Sequence, residues 1–299
     1  MMPIALEAFT RPTIEVHAIS GHRRDPAAAR LSPFASMIIL PGGAIMAFIE
    51  ACFDESGTHS GSEILCVAGY IVEKSQAALM DRAWRDVLAW KSLPCFHMAD
   101  CAHGNGVFAN LARPERVQIE ARMIALIKAH TIQGVGLTVS RADFAAAMQG
   151  HPFYPDPYVL LTHGVIQGVT EWTEANRDVV EGVAYMFEAG HESRTAADGL
   201  LRKLFDSDSI KERYRHNGQR FVLKQNAAAV QAAGLLAWQW GKDRKNALEG
   251  RPRRNDLQSL SGHPHTLAHI TPDHLTRLAR TRAPSIRRLT EILGDDWGG

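Results

Sequence analysis

An alternation of strand-like and helix-like segments constrains the fold of this chain more than any other sequence feature. Two apolar runs, 47–53 and 64–72, are separated by a polar segment, and the pair predicts a β-hairpin. Apolar residues at helical spacing then alternate with strand-like runs at 131–140 and 179–188. This order is typical of an α/β protein whose mixed sheet has an antiparallel hairpin at its edge and helices on its faces.

The same patterns divide the 299 residues into three parts. Residues 1–45 show little periodicity, and Met46 directly precedes the first strand, so we expect 1–45 to be a disordered or non-native extension. Residues 46–245 are expected to form the folded domain. Residues 246–299 are rich in Arg, Pro and His and predict a basic tail with one or two short helices. The other predicted elements are a strand at Arg220–Lys224 and helices at Ser75–Trp90, Pro114–Ala129, Tyr158–Asn176, Thr195–Phe205 and Ala227–Lys242.

Composition excludes only the extreme classes of protein. The chain is 45% hydrophobic and 22% charged, which is typical of a globular protein rather than a disordered or collagen-like one. Its net charge of +1 combines 4 basic and 3 acidic residues over 1–45, 18 basic and 22 acidic residues over 46–240, and 11 basic and 7 acidic residues over 241–299. An acidic body is compatible with clustered carboxylates, and a basic tail with either an anionic partner or an ordinary solvated surface.

Targeting and cofactor motifs are sparse. The longest uncharged stretch, 31–49, contains Pro33, Pro41 and two glycines, which argues against a membrane span or an ordinary signal peptide, so we expect a cytoplasmic protein. The Cys and His residues within Cys95–His103 are too crowded for a usual structural zinc site. Phosphate-binding loops, dinucleotide-binding glycine patterns and nucleophile elbows are missing from the sequence.

Two carboxylates follow strands at positions where open sheets carry active sites. Asp54 ends the first strand, and Glu188 ends the apolar run 179–187. If the two side chains converge, they would bind Mg²⁺ or Mn²⁺ through oxygen. The alternative is that Asp54 merely begins a turn and that Glu188 is a surface or capping acid.

Three short motifs occur in a familiar order: Asp54-Glu55-Ser56-Gly57 after the first strand, Phe96-His97-Met98-Ala99-Asp100, and the segment Gln231–Trp238. In these motifs the chain resembles the bacterial and phage family catalogued as domain of unknown function 3800, over about Met46 to Asp243. The resemblance implies a ribonuclease H-like fold and a nuclease that uses Mg²⁺ or Mn²⁺ on nucleic acid.

The resemblance also implies roles for single residues. Asp54 matches the family's acid after the first strand and would be a metal ligand. Glu188 stands where the family tends to have a second acid, although that match is only positional. His97 and Asp100 match a loop motif, and His97 would orient substrate or carry a proton, or else be a capping histidine.

Gly234 departs from the family pattern, which usually has an acid at this helix position facing the first-strand Asp. Three outcomes stay open: Glu192, His191 or Asp198 compensates, with Glu192 the preferred substitute; the site uses one metal ion; or catalysis has been lost.

The basic tail at 246–299 contains arginines that are expected to contact the same nucleic acid substrate as the metal site. Arg251, Arg253 and Arg254 follow the last predicted body helix and would bind phosphates without sequence preference. We therefore expect a metal-dependent nuclease with nucleic acid as its partner. The alternative is a catalytically degenerate protein of the same fold that only binds nucleic acid or another partner.

Overall fold

The computed structural model of the protein describes residues 38–39, 45–59, 61–253 and 255–280. Helices cover both faces of one mixed β-sheet, so the predicted α/β class is confirmed. Most of the predicted extension 1–45 lies outside the described residues, although Ile38–Ile39 pairs antiparallel with Ile45 and Met46. The assignment of Met46 as the natural start stays a prediction.

The main sheet contains six strands in the described ranges, and a short strand pairs with one of them. The strands are β1 (Ile38–Ile39), β2 (Ile45–Ser56), β3 (Ile64–Glu73), β4 (Thr131–Ser140), β5 (Val180–Glu188), β6 (His216–Val222) and β7 (His265–Ile270). Their order is β6–β5–β2–β3–β4–β7, with β1 paired to β2. The β2–β3 and β3–β4 pairs are antiparallel, whereas β5 and β6, β2 and β5, and β4 and β7 run parallel.

The hairpin of β2 and β3 lies in the middle of the sheet, so its predicted place at the edge is wrong. All ten residues of β3 are buried. Leu65, Val67 and Ile71 pack into the core on one face, and Ala68 and Tyr70 pack into the core on the other. A strand that is apolar on both faces needs helices on both sides, which is the environment of a central strand.

The helices form one layer on each face of the sheet. The first layer, with α1, α3 and α8, buries Trp84, Met123 and Trp240, and the second, with α5 and α6, buries Leu161 and Leu201. No helix in the described part of the chain is long and apolar enough to cross a bilayer. The helices are α1 (Lys74–Trp90), α2 (Met98–His103), α3 (Arg113–His130), α4 (Arg141–Met148), α5 (Pro157–Ala175), α6 (Arg194–Leu204), α7 (Asp208–Arg213), α8 (Ala228–Leu248) and α9 (Asn255–Gln258).

The segment after residue 245 is not only a basic helical tail, because it supplies β7 to the sheet. The chain is again helical over 272–280, where Leu275 and Leu278 enter the core. The sequence analysis missed β7 because its histidines and the preceding Pro264 suggest a polar loop. The structure instead buries Leu267, Ala268 and His269 in this strand.

Two histidines at the start of β7, His263 just before it and His265 as its first residue, predict a marked loss of stability in mild acid. His263 and His265 lie 5.2 Å apart between ring centroids, and both rings contact Tyr70. Burial lowers the pKa of His263 to about 3 and that of His265 to about 4. The unfolded chain binds protons at both residues below about pH 6.5, whereas the folded chain does not, so their stabilising effect is complete above that pH and is lost as the pH falls.

We expect the free energy of unfolding to drop by roughly 2–4 kcal/mol between pH 7 and pH 5 because of these two residues. Urea unfolding at both pH values measures the drop. The His265→Gln variant should lose about half of it, and an unchanged pH dependence in that variant would contradict the assignment.

Candidate metal centre

Three carboxylates meet where β2 and β5 end. These two strands are parallel neighbours, with Phe53 paired to Phe187 and their rings stacked 5.4 Å apart between centroids. The register therefore brings the next residues, Asp54 and Glu188, to the same edge of the sheet. One oxygen each from Asp54, Glu55 and Glu188 lies within 4.8 Å of the others. We call these three residues the carboxylate triad.

Each member of the triad has a different environment. Asp54 is 2% exposed; its Oδ1 accepts a hydrogen bond from the Glu55 amide at 2.8 Å, and its Oδ2 lies 2.8 Å from the Lys224 ammonium nitrogen. The ammonium makes a close ion pair, but its direction does not give Oδ2 a hydrogen bond of regular geometry. Glu188 Oε2 accepts a hydrogen bond from the Gly190 amide. Glu55 Oε2 is buried and has no hydrogen-bond partner among the described residues.

Burial and mutual repulsion make the ionised triad costly in the metal-free protein. Burial raises the pKa of Asp54, although Lys224 opposes the shift. Burial, followed by the charges of Asp54 and Glu188, raises the pKa of Glu55 well above its usual value. Burial alone would lower the pKa of Lys224, but the attraction of the three carboxylates outweighs it, and the pKa of Lys224 is raised.

These residues fit a hard divalent cation. Their donor atoms are all carboxylate oxygens, which Mg²⁺ and Mn²⁺ prefer. The buried Oε2 of Glu55 has no hydrogen-bond partner in the ranges that the structure describes, and a cation would satisfy it. The convergence of Asp54 and Glu188 agrees with the sequence prediction, and their role as ligands stays a prediction.

Sequence reasoning missed Glu55. Only Asp54 matches the family's acid after the first strand, so of the two neighbours the sequence assigns Asp54 alone to the site. The Asp54–Gly57 motif was also interpreted as a turn, whereas β2 continues to Ser56, which pairs with Cys66. The one available signal was that Glu55 is itself a carboxylate inside the motif.

None of the three proposed substitutes, Glu192, His191 and Asp198, belongs to the carboxylate triad. Glu192 is exposed and does not belong to the carboxylate group that the structure brings together. Asp198 forms a surface ion pair with Arg202. His191 is buried and stacks on Tyr158, with ring centroids 3.9 Å apart.

A pocket of about 260 Å³ opens beside the triad, and we call it the site pocket. Of the triad, Glu55 lines it, together with His97, Lys224, Gly234, Lys242 and Lys245. His97 Nδ1 lies 2.9 Å from Asp100 Oδ2, so the His97–Asp100 pair stands at the pocket wall with His97 facing it. A role for either residue in catalysis stays a prediction.

Gly234 of α8 faces Asp54 directly. A Cβ atom at position 234 would collide with Asp54 Oδ2 and would lie 3.6 Å from Lys224 Nζ. The space that an acid at position 234 would need is therefore filled by the Asp54–Lys224 ion pair.

Arg251 and Arg253, two of the predicted phosphate-binding arginines, do not line the site pocket. Arg253 makes two contacts with Asp243 Oδ2, at 3.2 and 2.9 Å, and Arg251 pairs with Glu249 at 3.1 Å. These carboxylates lie near the end of α8, so they neutralise the first residues of the tail. Arg254 lies outside the described residues.

No protein-family model matches the chain, and no curated protein matches it. The resemblance to the domain of unknown function 3800 family stays a prediction. The structure agrees with a ribonuclease H-like arrangement only at the level of a mixed sheet with helices on its faces.

Proposed function

We propose that this protein is a metal-dependent hydrolase that cleaves phosphodiester bonds in nucleic acid. The observation that carries the proposal is the carboxylate triad, in which three acids from neighbouring strands converge and Glu55 Oε2 is buried without a hydrogen-bond partner in the described part of the chain. Such a cluster is costly unless positive charge offsets it, and Lys224 offsets only one of its three negative charges.

Asp54, Glu55 and Glu188 would hold Mg²⁺ or Mn²⁺. A bound ion of this kind makes water a better nucleophile and offsets the negative charge that builds up on the phosphate. The chain's own contribution is to hold three oxygens close together at the end of two rigid strands, so little reorganisation is needed when the ion binds.

The site pocket supports a polyanionic substrate. Lys224, Lys242 and Lys245 line the pocket together with His59 and His97, and Lys245 also lies 3.6 Å from Glu63 and 3.8 Å from Glu249. Phosphates of a nucleic acid backbone suit such a group, because ammonium and imidazole groups bind them without reading the base sequence. His97, with Asp100 against its Nδ1, would orient a phosphate or carry a proton at its other nitrogen.

A cleavage assay on single-stranded and double-stranded DNA, RNA and an RNA–DNA hybrid, with Mg²⁺ or Mn²⁺, tests the proposal. The Asp54→Asn variant should lose at least ~10³-fold in cleavage rate. Asp178→Asn is the matched control, because Asp178 is an exposed acid just before β5, at the strand end away from the triad.

Cleavage that needs no divalent ion, or equal rates for wild type and Asp54→Asn, would contradict the proposal. Nucleic acid binding without cleavage by the wild type would instead support the alternative, a catalytically degenerate binding protein of the same fold.

A further inference from the structure

Lys224 places a positive charge inside the carboxylate triad. It follows β6 by two residues, and because β6 runs parallel to β5, its end reaches the same edge of the sheet. Its side chain is 22% exposed, and its Nζ lies 2.8 Å from Asp54 Oδ2. An ammonium is seldom held this far from water unless fixed charges retain it, so Lys224 is part of the site.

The surroundings keep Lys224 in place. Its carbonyl oxygen accepts a hydrogen bond of 3.1 Å from Gln231 Nε2 on α8. One helical turn further, the missing side chain of Gly234 leaves the space in which Asp54 and Lys224 meet. A larger residue at position 234 would push this ion pair apart.

The formal charges of the carboxylate triad and Lys224 indicate how many divalent ions the site would bind. Three carboxylates and one ammonium sum to a charge of −2, which one divalent ion neutralises. A second divalent ion would give the group an excess positive charge and would meet the ammonium at short range. A site with two divalent ions usually has more acids than this one offers among the described residues.

We propose that Lys224 supplies the second positive charge of the site, so that the triad binds a single divalent ion. This inference rests on the proposed function. In the hydrolysis, water adds to phosphorus, the ester P–O bond breaks, and the leaving alkoxide takes up a proton that balances the one the water gives up. The Lys224 ammonium transfers no proton and stabilises the negative charge on the phosphate oxygens.

The test compares Mn²⁺ binding and cleavage in the wild type and in Lys224→Met, which keeps the side-chain length without the charge. Calorimetric titration should find one Mn²⁺ per wild-type chain. Lys224→Met should bind Mn²⁺ at least tenfold more tightly, because a nearby positive charge is gone, and should cleave at least 100-fold more slowly. Opposite changes in affinity and rate are not expected from a residue that only supports the fold.

Lys242→Met is the control for metal affinity, since Lys242 lines the same pocket. Its Mn²⁺ affinity should stay within twofold of the wild type. Circular dichroism and thermal unfolding check the fold of each variant, and Lys224→Gln replaces Lys224→Met if the latter is unfolded.

Two Mn²⁺ ions per wild-type chain would overturn the inference, as would equal Mn²⁺ affinities for Lys224→Met and Lys242→Met. Faster cleavage by Lys224→Met would also overturn it, because Lys224 would then only compete with the metal ion. A wild type that cleaves no substrate contradicts the proposed function, and the Mn²⁺ titrations still decide whether Lys224 limits the site to one ion.

Discussion

Replacing Glu55 by glutamine should lower Mn²⁺ affinity by roughly 100-fold and cleavage by at least ~10³-fold, although the side chain keeps its size. Glu55 is the triad member that lines the site pocket, and its Oε2 is buried with no hydrogen-bond partner among the described residues. An amide removes the charge that attracts the cation and leaves one oxygen in its place. Mn²⁺ titration and a cleavage assay measure the two losses.

The same substitution should make the metal-free protein more stable at pH 8, by an amount on the order of 1 kcal/mol. Burial raises the pKa of Glu55 well above its usual value, so the stabilising effect of its protonated form is complete below about pH 4.5 and is lost as the pH rises through the raised pKa. Glutamine is neutral at every pH and avoids that loss. Urea unfolding without metal, at pH 5 and pH 8, separates this effect from general damage to the fold.

Glu192→Gln is the matched control, because Glu192 lies on the surface near the end of β5. It should change Mn²⁺ affinity by less than twofold. If Glu55→Gln binds Mn²⁺ as the wild type does, or if Glu192→Gln loses the metal, the site has been assigned to the wrong residue.

Replacing Gln231 by leucine should destabilise the fold by about 3–5 kcal/mol. Gln231 is buried and joins three parts of the chain: its Oε1 accepts from Trp84 Nε1 at 2.9 Å and from the Phe96 amide at 2.7 Å, and its Nε2 donates to the Lys224 carbonyl. Leucine would leave two buried donors and one acceptor without this partner. Thermal or urea unfolding measures the loss.

Gln167→Leu is a control of the same chemistry. Gln167 is buried in α5 and donates one hydrogen bond, of 3.2 Å, to the Tyr214 hydroxyl. We expect it to cost only about 1 kcal/mol. Equal losses of unfolding free energy in the two variants would show that the additional hydrogen bonds of Gln231 do not stabilise the fold further.

Much of the fold could be predicted from apolar periodicity alone. The strands β2, β3, β4 and β5 and helices α1, α3 and α5 lie within a few residues of their predicted positions, because each carries apolar residues at the period of its element. Helix α8 is also predicted, although it continues to Leu248 rather than ending at Lys242. Strand β7 could not be predicted, since its polar residues match a loop and its burial depends on pairing with β4.

The site was only partly predictable, for a related reason. Asp54 and Glu188 could be predicted, because each follows an apolar run and open sheets carry their active sites at strand ends. The place of Glu55 and Lys224 in the site could not be predicted in this way. It depends on which side chains of separate segments come close together, and apolar periodicity gives no information on that. The predicted role of Arg251 and Arg253 overlooked Glu249 and Asp243, whose ion pairs depend on the end of α8.

The reversed direction of β3 limits where further chemistry can take place on this edge. Strands β6, β5 and β2 all end here, whereas β3 begins here and separates them from the ends of β4 and β7. Side chains that follow β6, β5 and β2 are therefore separated by the width of β3 from side chains that follow β4 and β7. The proposed metal site thus occupies a patch three strands wide, and α8, whose Gly234 faces Asp54, is an element from which a further ligand would reach that patch.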